Sequence, residues 1–118
     1  MTQGARIERV GEEFREILAQ EIPKLKDPRV GFVTVVGVKV SHDLRHARVA
    51  YTSMGDERAK AGTRAALRSA RPYLRAQIGR QVRLKYLPEL EFEEDTTYEQ
   101  GRRIDELIAG LHGEERDR

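Results

Sequence analysis

The first quarter of the chain carries the hydrophobic period of an amphipathic helix. Its apolar residues recur three or four positions apart, and they are Ile7, Val10, Phe14, Ile17, Leu18, Ile22 and Leu25. That spacing places them on one face of an α-helix. Asp27-Pro28-Arg29 predicts the end of the helix, because the residue before a proline is displaced from the α region.

Alternating apolar positions predict a β-hairpin next. The first strand is rich in β-branched residues, and its expected buried face consists of Phe32, Thr34, Val36, Val38 and Val40. The polar segment from Ser41 to Asp43 has the composition of a turn. In the return strand Ala47, Val49 and Tyr51 occupy every second position. One face of this strand is therefore predicted to be buried.

Residues 57 to 80 predict a long helix with a kink. Its apolar positions are Leu67, Ala70, Leu74 and Ile78. Pro72 interrupts it, since proline lacks a backbone N–H and crowds the carbonyl four residues earlier, so a kink is expected at Ala70-Arg71-Pro72.

The C-terminal third predicts one more strand and one more helix. Alternating apolar positions, interrupted by Pro88, predict the strand, and they are Leu84, Tyr86, Leu90 and Phe92. Thr96 or Thr97 can cap a last helix, whose apolar side consists of Ile104, Leu107, Ile108 and Leu111.

The order helix, strand, strand, kinked helix, strand, helix predicts a small α+β domain, with the helices on one face of a three-stranded sheet. With 118 residues the chain has material for one core. We expect a single domain over residues 1–113 and a frayed charged tail over 114–118. The absence of Cys excludes a disulfide scaffold and a thiolate zinc site. No signal peptide or membrane span is recognisable, so a cytoplasmic location is expected.

Charge is distributed unevenly along the chain. The overall formal charge is only +2. Between Arg58 and Pro88, however, nine basic residues occur with no Asp or Glu, and the stretch from Glu89 to Arg118 holds eleven acids against four bases. Surface helices normally intersperse Glu with Arg and Lys, whereas a surface that binds a polyanion excludes carboxylates. The basic segment therefore favours nucleic-acid binding over an ordinary solvated helix face.

Four arginines of this segment would form one stripe on a continuous helix, because they occur at i, i+4, i+7 and i+11. They are Arg64, Arg68, Arg71 and Arg75. We expect RNA phosphates to contact them and six further residues, Arg80, Arg83, Lys85, Arg6, Arg9 and Arg29. The chain has no Trp, and none of its Phe or Tyr residues falls in an obvious stacking platform. Specificity is thus expected to come from RNA shape rather than from base-by-base readout.

Two catalytic interpretations are weaker than structural ones. His42 and His46 are four residues apart, but metal binding at that spacing needs a helix, and the segment has the composition of a hairpin turn. The acids Glu89, Glu91, Glu93, Glu94 and Asp95 could suggest a magnesium site, yet alternation places three of them on one exposed strand face, which usually protects a sheet edge. We expect no enzyme activity, no metal, no cofactor and no small-molecule substrate.

Four segments, in this order and over nearly the whole chain, resemble bacterial ribosome-binding factor A. They are Asp27-Pro28-Arg29; Val38 to Leu44, with Ala47 and Val49 after it; Leu87 to Phe92, with Asp95 after it; and Gly101-Arg102-Arg103-Ile104. The resemblance implies a type II KH-like fold. It also implies an RNA-binding factor that assists late maturation of the small ribosomal subunit, particularly in the cold, with 16S rRNA and the 30S subunit or its precursor as partners. We expect the protein to be a monomer.

The sequence departs from that family at one point and leaves two other functions open. The family has an Ala-x-Gly kink where this chain reads Ala70-Arg71-Pro72, so Pro72 would produce the bend by another route. The Gly-x-x-Gly at residues 110–113 is interpreted as a helix C-cap, not as a KH loop. The alternatives are a general KH-like module for structured RNA, and a protein-interaction module whose basic face meets an acidic partner.

Overall fold

The computed structural model describes residues 3–96, which form three α-helices and three strands. Their bounds are α1 Gln3–Glu21, β1 Val33–Val40, β2 His46–Ser53, α2 Glu57–Ser69, α3 Arg71–Gln81 and β3 Glu89–Glu94, with a 3-10 turn at Ile22–Lys24. The predicted order is confirmed as far as β3. The predicted last helix, the Gly-x-x-Gly and the charged tail lie outside the described residues.

The three strands form one mixed sheet in the order β1-β2-β3. β1 and β2 are an antiparallel hairpin, whereas β3 pairs with β2 in parallel. A parallel neighbour needs a long crossover connection, and here α2 and α3 provide it. The predicted basic segment therefore forms the connection between β2 and its parallel neighbour β3.

The core lies between the helices and one face of the sheet. Leu67, Leu74 and Ile78 of the crossover helices are fully buried, as the sequence predicted. The remaining buried residues of the core are Phe14, Ile17, Leu18, Ile22, Val35, Ala47, Val49, Tyr51 and Leu90. Within residues 3–96, no helix combines the length and the apolar character that crossing a bilayer requires.

The predicted buried face of the first strand is wrong over its first half. Phe32 is 74% exposed and Val36 49% exposed, while Val35 is buried. The cause is an irregularity in the pairing of β1 with β2, which passes from Val35 to Gly37 without a partner for Val36. Such a bulge shifts the alternation by one residue. Val38 and Val40, which lie beyond it, pack against the core as predicted.

The third strand is also shorter than predicted. It begins at Glu89, so Leu84 and Tyr86 belong to the loop that joins α3 to β3. Pro88 is buried and cannot donate to a strand ladder, and the first ladder-like contact is made by the Glu89 N–H, which donates to the Arg45 carbonyl at 2.7 Å. The loop therefore lies beside the hairpin turn rather than extending the sheet.

A close approach sets how α1 lies on the sheet. Gly11 is buried in α1, and a Cβ at this position would lie 2.6 Å from the carbonyl oxygen of Val38 in β1. Only glycine leaves room for a helix and a strand at that distance. α1 therefore packs directly against the backbone of β1 at Gly11.

Candidate nucleic-acid interface

The kink predicted in the basic segment is a break between two helices. α2 ends and α3 begins at Ala70, which has φ −83° and ψ −3°. The Ala70 N–H still donates to the carbonyls of Ala66 and Leu67, and the Leu74 N–H donates to the Ala70 carbonyl. The chain therefore changes direction with its backbone hydrogen bonds almost complete, and the kink prediction is confirmed.

Pro72 leaves one carbonyl in α2 without its helical donor, and an arginine side chain takes the place of that donor. In a continuous helix the N–H of residue 72 would donate to the Arg68 carbonyl. Proline has no N–H, and Nε of Arg71 donates to this oxygen at 3.1 Å. Arg71 thus stabilises the end of α2, while the rest of its guanidinium group lies on the exposed surface of the break.

The two outer arginines of the predicted stripe contact carboxylates of β3. Arg64 lies 3.5 Å from Glu94, and Arg75 lies 3.2 Å from Glu89. Arg75 also donates to two loop carbonyls, with Nε 2.8 Å from the Pro88 oxygen and a terminal nitrogen 3.2 Å from the Leu87 oxygen. The cationic groups at both ends of the stripe therefore already have partners within the protein.

The two inner arginines of the predicted stripe are exposed to solvent and free of ion pairs within residues 3–96. Arg68 and Arg71 are exposed on either side of Ala70, and neither forms an ion pair within residues 3–96. They lie at the point where the helix axis breaks. We call this pair the kink arginines, and among the described residues no carboxylate pairs with either of them.

The other predicted phosphate contacts are divided among separate parts of the surface. Arg6 of α1 lines a cleft together with Arg83 and Lys85 of the α3–β3 loop. Arg80 is exposed near the end of α3, and Arg9 is exposed on α1. The ten predicted phosphate contacts therefore lie on several separate basic surfaces of the structure.

Arg29 lies beside the start of α2, where it lines a cleft with Arg58 and Gly62. It pairs with Asp27 at 2.6 Å, and the Arg29 N–H donates to the same carboxylate at 3.0 Å. These hydrogen bonds from Arg29 lower the pKa of Asp27 to about 2. A phosphate at this position would have to compete with a carboxylate that already holds the guanidinium.

The acidic and histidine residues occupy the positions expected of structural groups. Glu89, Glu91 and Glu93 alternate along β3 and are all exposed, and Arg48 of the neighbouring strand lies 3.5 Å from Glu93. His42 is in the hairpin turn, and His46 begins β2. Among the described residues no group of three His, Asp or Glu side chains is placed to bind a metal ion.

Arg45 is a basic residue of this surface that the sequence did not single out. It follows the hairpin turn, and its guanidinium carbon lies 4.4 Å from the centre of the Tyr86 ring. The two residues are 41 positions apart, and the alternation of apolar positions predicts that Tyr86 lies in a strand. No local pattern in the sequence therefore indicated that these two side chains meet.

Comparison with known proteins decides what family this arrangement belongs to. The model of the family "Ribosome-binding factor A" matches residues 6–108. The chain belongs to the ribosome-binding factor A family. It is 46% identical to ribosome-binding factor A of Geobacter sulfurreducens, over 92% of this chain and 93% of the relative. It is 41% identical to that of Acidothermus cellulolyticus, over 99% of this chain and 79% of the relative.

Solved structures of ribosome-binding factor A share the fold. The crystal structure of the Thermus thermophilus protein has a TM-score of 0.66 at 34% identity, covering 73% of this chain and 92% of that one. A Thermus thermophilus homology model fitted into a cryo-electron microscopy map of a 30S complex of that protein has a TM-score of 0.65 at 32% identity, covering 76% and 96%. The α+β, KH-like fold implied by the resemblance is confirmed.

Proposed function

We propose that this protein is a monomeric, non-enzymatic assembly factor that binds the small ribosomal subunit or its precursor through 16S rRNA. It would assist late rRNA processing and maturation in the cytoplasm, with the greatest effect in the cold. The observation that carries the proposal is the pair of kink arginines at the break between α2 and α3, which are exposed and form no ion pair within residues 3–96. The family match over residues 6–108 supports one RNA-binding domain over residues 1–113.

The geometry suits docking on folded RNA. Phosphate contacts position a protein on RNA without reading its sequence. The break at Ala70 lets two arginines from different helices project from one point, and the helices behind them are fixed by buried Leu67 and Leu74. If about five basic side chains each neutralise a phosphate, the logarithm of affinity falls with the logarithm of salt concentration at a slope of roughly −3.5 to −4.5.

Co-sedimentation with purified small subunits, large subunits and an unrelated structured RNA tests the proposal. The variant is Arg68→Glu, because Arg68 is exposed and its side chain forms no ion pair within residues 3–96. The matched control is Arg15→Glu, which makes the same charge change on α1, where Arg15 pairs with Glu12. Arg75 is avoided because its substitution would also disturb the loop before β3.

We expect selective binding to small subunits, a loss of binding for Arg68→Glu, and wild-type binding for Arg15→Glu. The milder Arg68→Gln should reduce the steepness of the salt dependence by about 0.7 to 0.9, the share of one phosphate. Equal binding to all three targets would instead indicate a general RNA-binding module. Binding that survives complete digestion of RNA would indicate a protein-interaction module.

The role in maturation needs a separate measurement. Cells without the gene should accumulate small-subunit precursors with unprocessed 16S rRNA ends, more strongly at low temperature. Wild-type protein and Arg15→Glu should restore processing, and Arg68→Glu should not. Normal processing in the absence of the protein would contradict the maturation role while leaving ribosome binding intact.

A further inference from the structure

A second basic site lies at the opposite end of α3 from the kink arginines. It is a cleft of about 300 Å³ between α1, the hairpin turn and the α3–β3 loop. Among the described residues that line it, the basic ones are Arg6, Arg45, Arg83 and Lys85, and the one acidic residue is Asp43. Since α3 has 11 residues, the cleft and the kink are separated by about 16 Å along the helix axis.

The cleft contains an exposed tyrosine with a cation on its ring. The Arg45 guanidinium carbon lies 4.4 Å from the centre of the Tyr86 ring, and Lys85 Nζ lies 5.6 Å from it. Tyr86 is 49% exposed. Arg45 forms no ion pair within the described part of the chain. An aromatic ring and a guanidinium group in contact, both open to solvent, form a platform on which a planar ligand can stack.

Backbone contacts around the hairpin turn hold Arg45 in this position. Leu44 has a φ of +60°, in the left-handed region that residues other than glycine rarely adopt. The Asp43 carboxylate accepts from the Arg45 N–H at 3.0 Å, and the Arg45 carbonyl accepts from the Glu89 N–H at 2.7 Å. The platform is therefore built by a constrained turn that is tied to the start of β3.

The carboxylate of Asp43 is hydrogen-bonded within the hairpin turn itself. One Asp43 oxygen accepts both the Ser41 hydroxyl at 2.6 Å and the Arg45 N–H at 3.0 Å. These hydrogen bonds stabilise the carboxylate within the turn, and the described residues that line the cleft carry three net positive charges, four basic residues against one acid. An anionic group beside the platform would thus be attracted from several directions.

We propose that this cleft binds an unpaired nucleotide of RNA, whose base joins the Arg45–Tyr86 stack while its phosphates contact Lys85 and Arg83. The proposal rests on the proposed function, since it assumes that RNA is the partner. It also goes beyond phosphate contacts, because a base can reach the platform only if it is splayed out of a helix. The proposal differs from the sequence-based expectation about aromatic residues because Arg45 and Tyr86 meet only in the folded chain.

A nucleotide fits the cleft better than an acidic peptide does. The basic residues alone would attract either ligand, but the ring–guanidinium pair adds a planar surface that favours nucleobases. The kink arginines lie about one α3 length away, so one folded RNA could contact both sites through its backbone and a single extruded base. An acidic protein segment is the competing occupant, and the experiment separates the two.

The test compares a short RNA hairpin that carries one bulged nucleotide with the same hairpin fully paired, by fluorescence anisotropy. The variant Tyr86→Leu removes the ring, Tyr86→Phe keeps it, and Arg45→Lys keeps the charge but removes the guanidinium plane. The matched control is Phe32→Leu, which removes a 74% exposed ring beyond the other end of the hairpin strands. Far-UV circular dichroism checks the folding of each variant.

We expect wild type, Tyr86→Phe and Phe32→Leu to prefer the bulged hairpin. Tyr86→Leu should lose this preference, weakening binding to the bulged hairpin by about 5- to 150-fold, the range for stacking of one base on an aromatic side chain. The slope of affinity against salt should not change, because no charge is removed. Arg45→Lys should lose part of the preference.

Each other outcome has a defined meaning. If Tyr86→Leu discriminates like wild type while salt dependence stays steep, the cleft proposal fails and the proposed function stands. If the wild type binds neither hairpins nor small subunits, both fail. If binding to small subunits requires Tyr86 but survives complete RNA digestion, the occupant is protein and the nucleotide proposal is overturned.

Discussion

Arg75 is predicted to act mainly as a structural residue, although its position in the arginine stripe predicts an RNA contact from the sequence. Its guanidinium group donates to the carbonyls of Pro88 and Leu87 at 2.8 and 3.2 Å, and it pairs with Glu89 at 3.2 Å. Its side chain is only 29% exposed. These contacts fix the α3–β3 loop, which includes Tyr86, against α3.

The loss of stability expected on removing the Arg75 side chain can be worked out from those contacts. A hydrogen bond from a charged donor contributes about 1.5 to 3 kcal/mol when well shielded, and partial exposure of Arg75 reduces that. The ion pair adds little, since the Glu89 side chain is 65% exposed. We expect Arg75→Ala to lower the free energy of unfolding by about 2 kcal/mol. In a domain of this size such a loss lowers Tm by roughly 6 to 12 °C.

Urea denaturation followed by far-UV circular dichroism is the suitable assay, because the chain has no Trp. Glu89→Ala is the control that removes the ion pair and leaves the carbonyl contacts, and it should cost less than about 0.5 kcal/mol. Arg75→Lys should fall between the two. Equal stability of Arg75→Ala and Glu89→Ala would refute the argument, since the loop hydrogen bonds would then contribute nothing.

Two further predictions concern packing and pH. Gly11→Ala should destabilise the fold by about 1 to 3 kcal/mol in thermal unfolding, because its Cβ would meet the rigid Val38 carbonyl. Gly79→Ala, whose Cβ would meet only the end of a leucine side chain, should be neutral or stabilising through helix propensity. The Asp27 carboxyl, followed by NMR, should titrate at about 2. Its folded pKa is depressed, so its contact with Arg29 stabilises the fold above about pH 4 and is lost as pH falls through 2; Arg29→Ala should return the pKa towards 3.8.

Local periodicity and proline chemistry were sufficient to predict the order of the elements as far as β3 and the break at Ala70. The pattern at Leu67, Leu74 and Ile78 identified the buried side of the crossover correctly. The bulge at Val36 could not be predicted, since Val36 and Val38 look alike in a β-branched run and only the pairing with β2 distinguishes them. Alternation fails wherever one extra residue enters a strand.

The candidate site was predictable in composition but not in arrangement. The absence of acids between Arg58 and Pro88 identified the basic segment. It gave no sign that Glu89 and Glu94, just beyond that segment, would return alongside α3 and α2 and pair with Arg75 and Arg64. The parallel crossover produces these ion pairs, because β3 follows the two helices in sequence and then lies beside them in the fold.

The acidic strand therefore has two physical consequences. Glu89, Glu91 and Glu93 charge an edge of the sheet, which opposes pairing with the edge of another sheet. The carboxylates at the two ends of β3 also occupy the outer arginines of the crossover, so that a phosphate binding there must displace an existing ion pair. At the kink arginines no such competition exists among the described residues. The proposed phosphate site at the kink arginines thus depends as much on where β3 places its acids as on where the helices place their arginines.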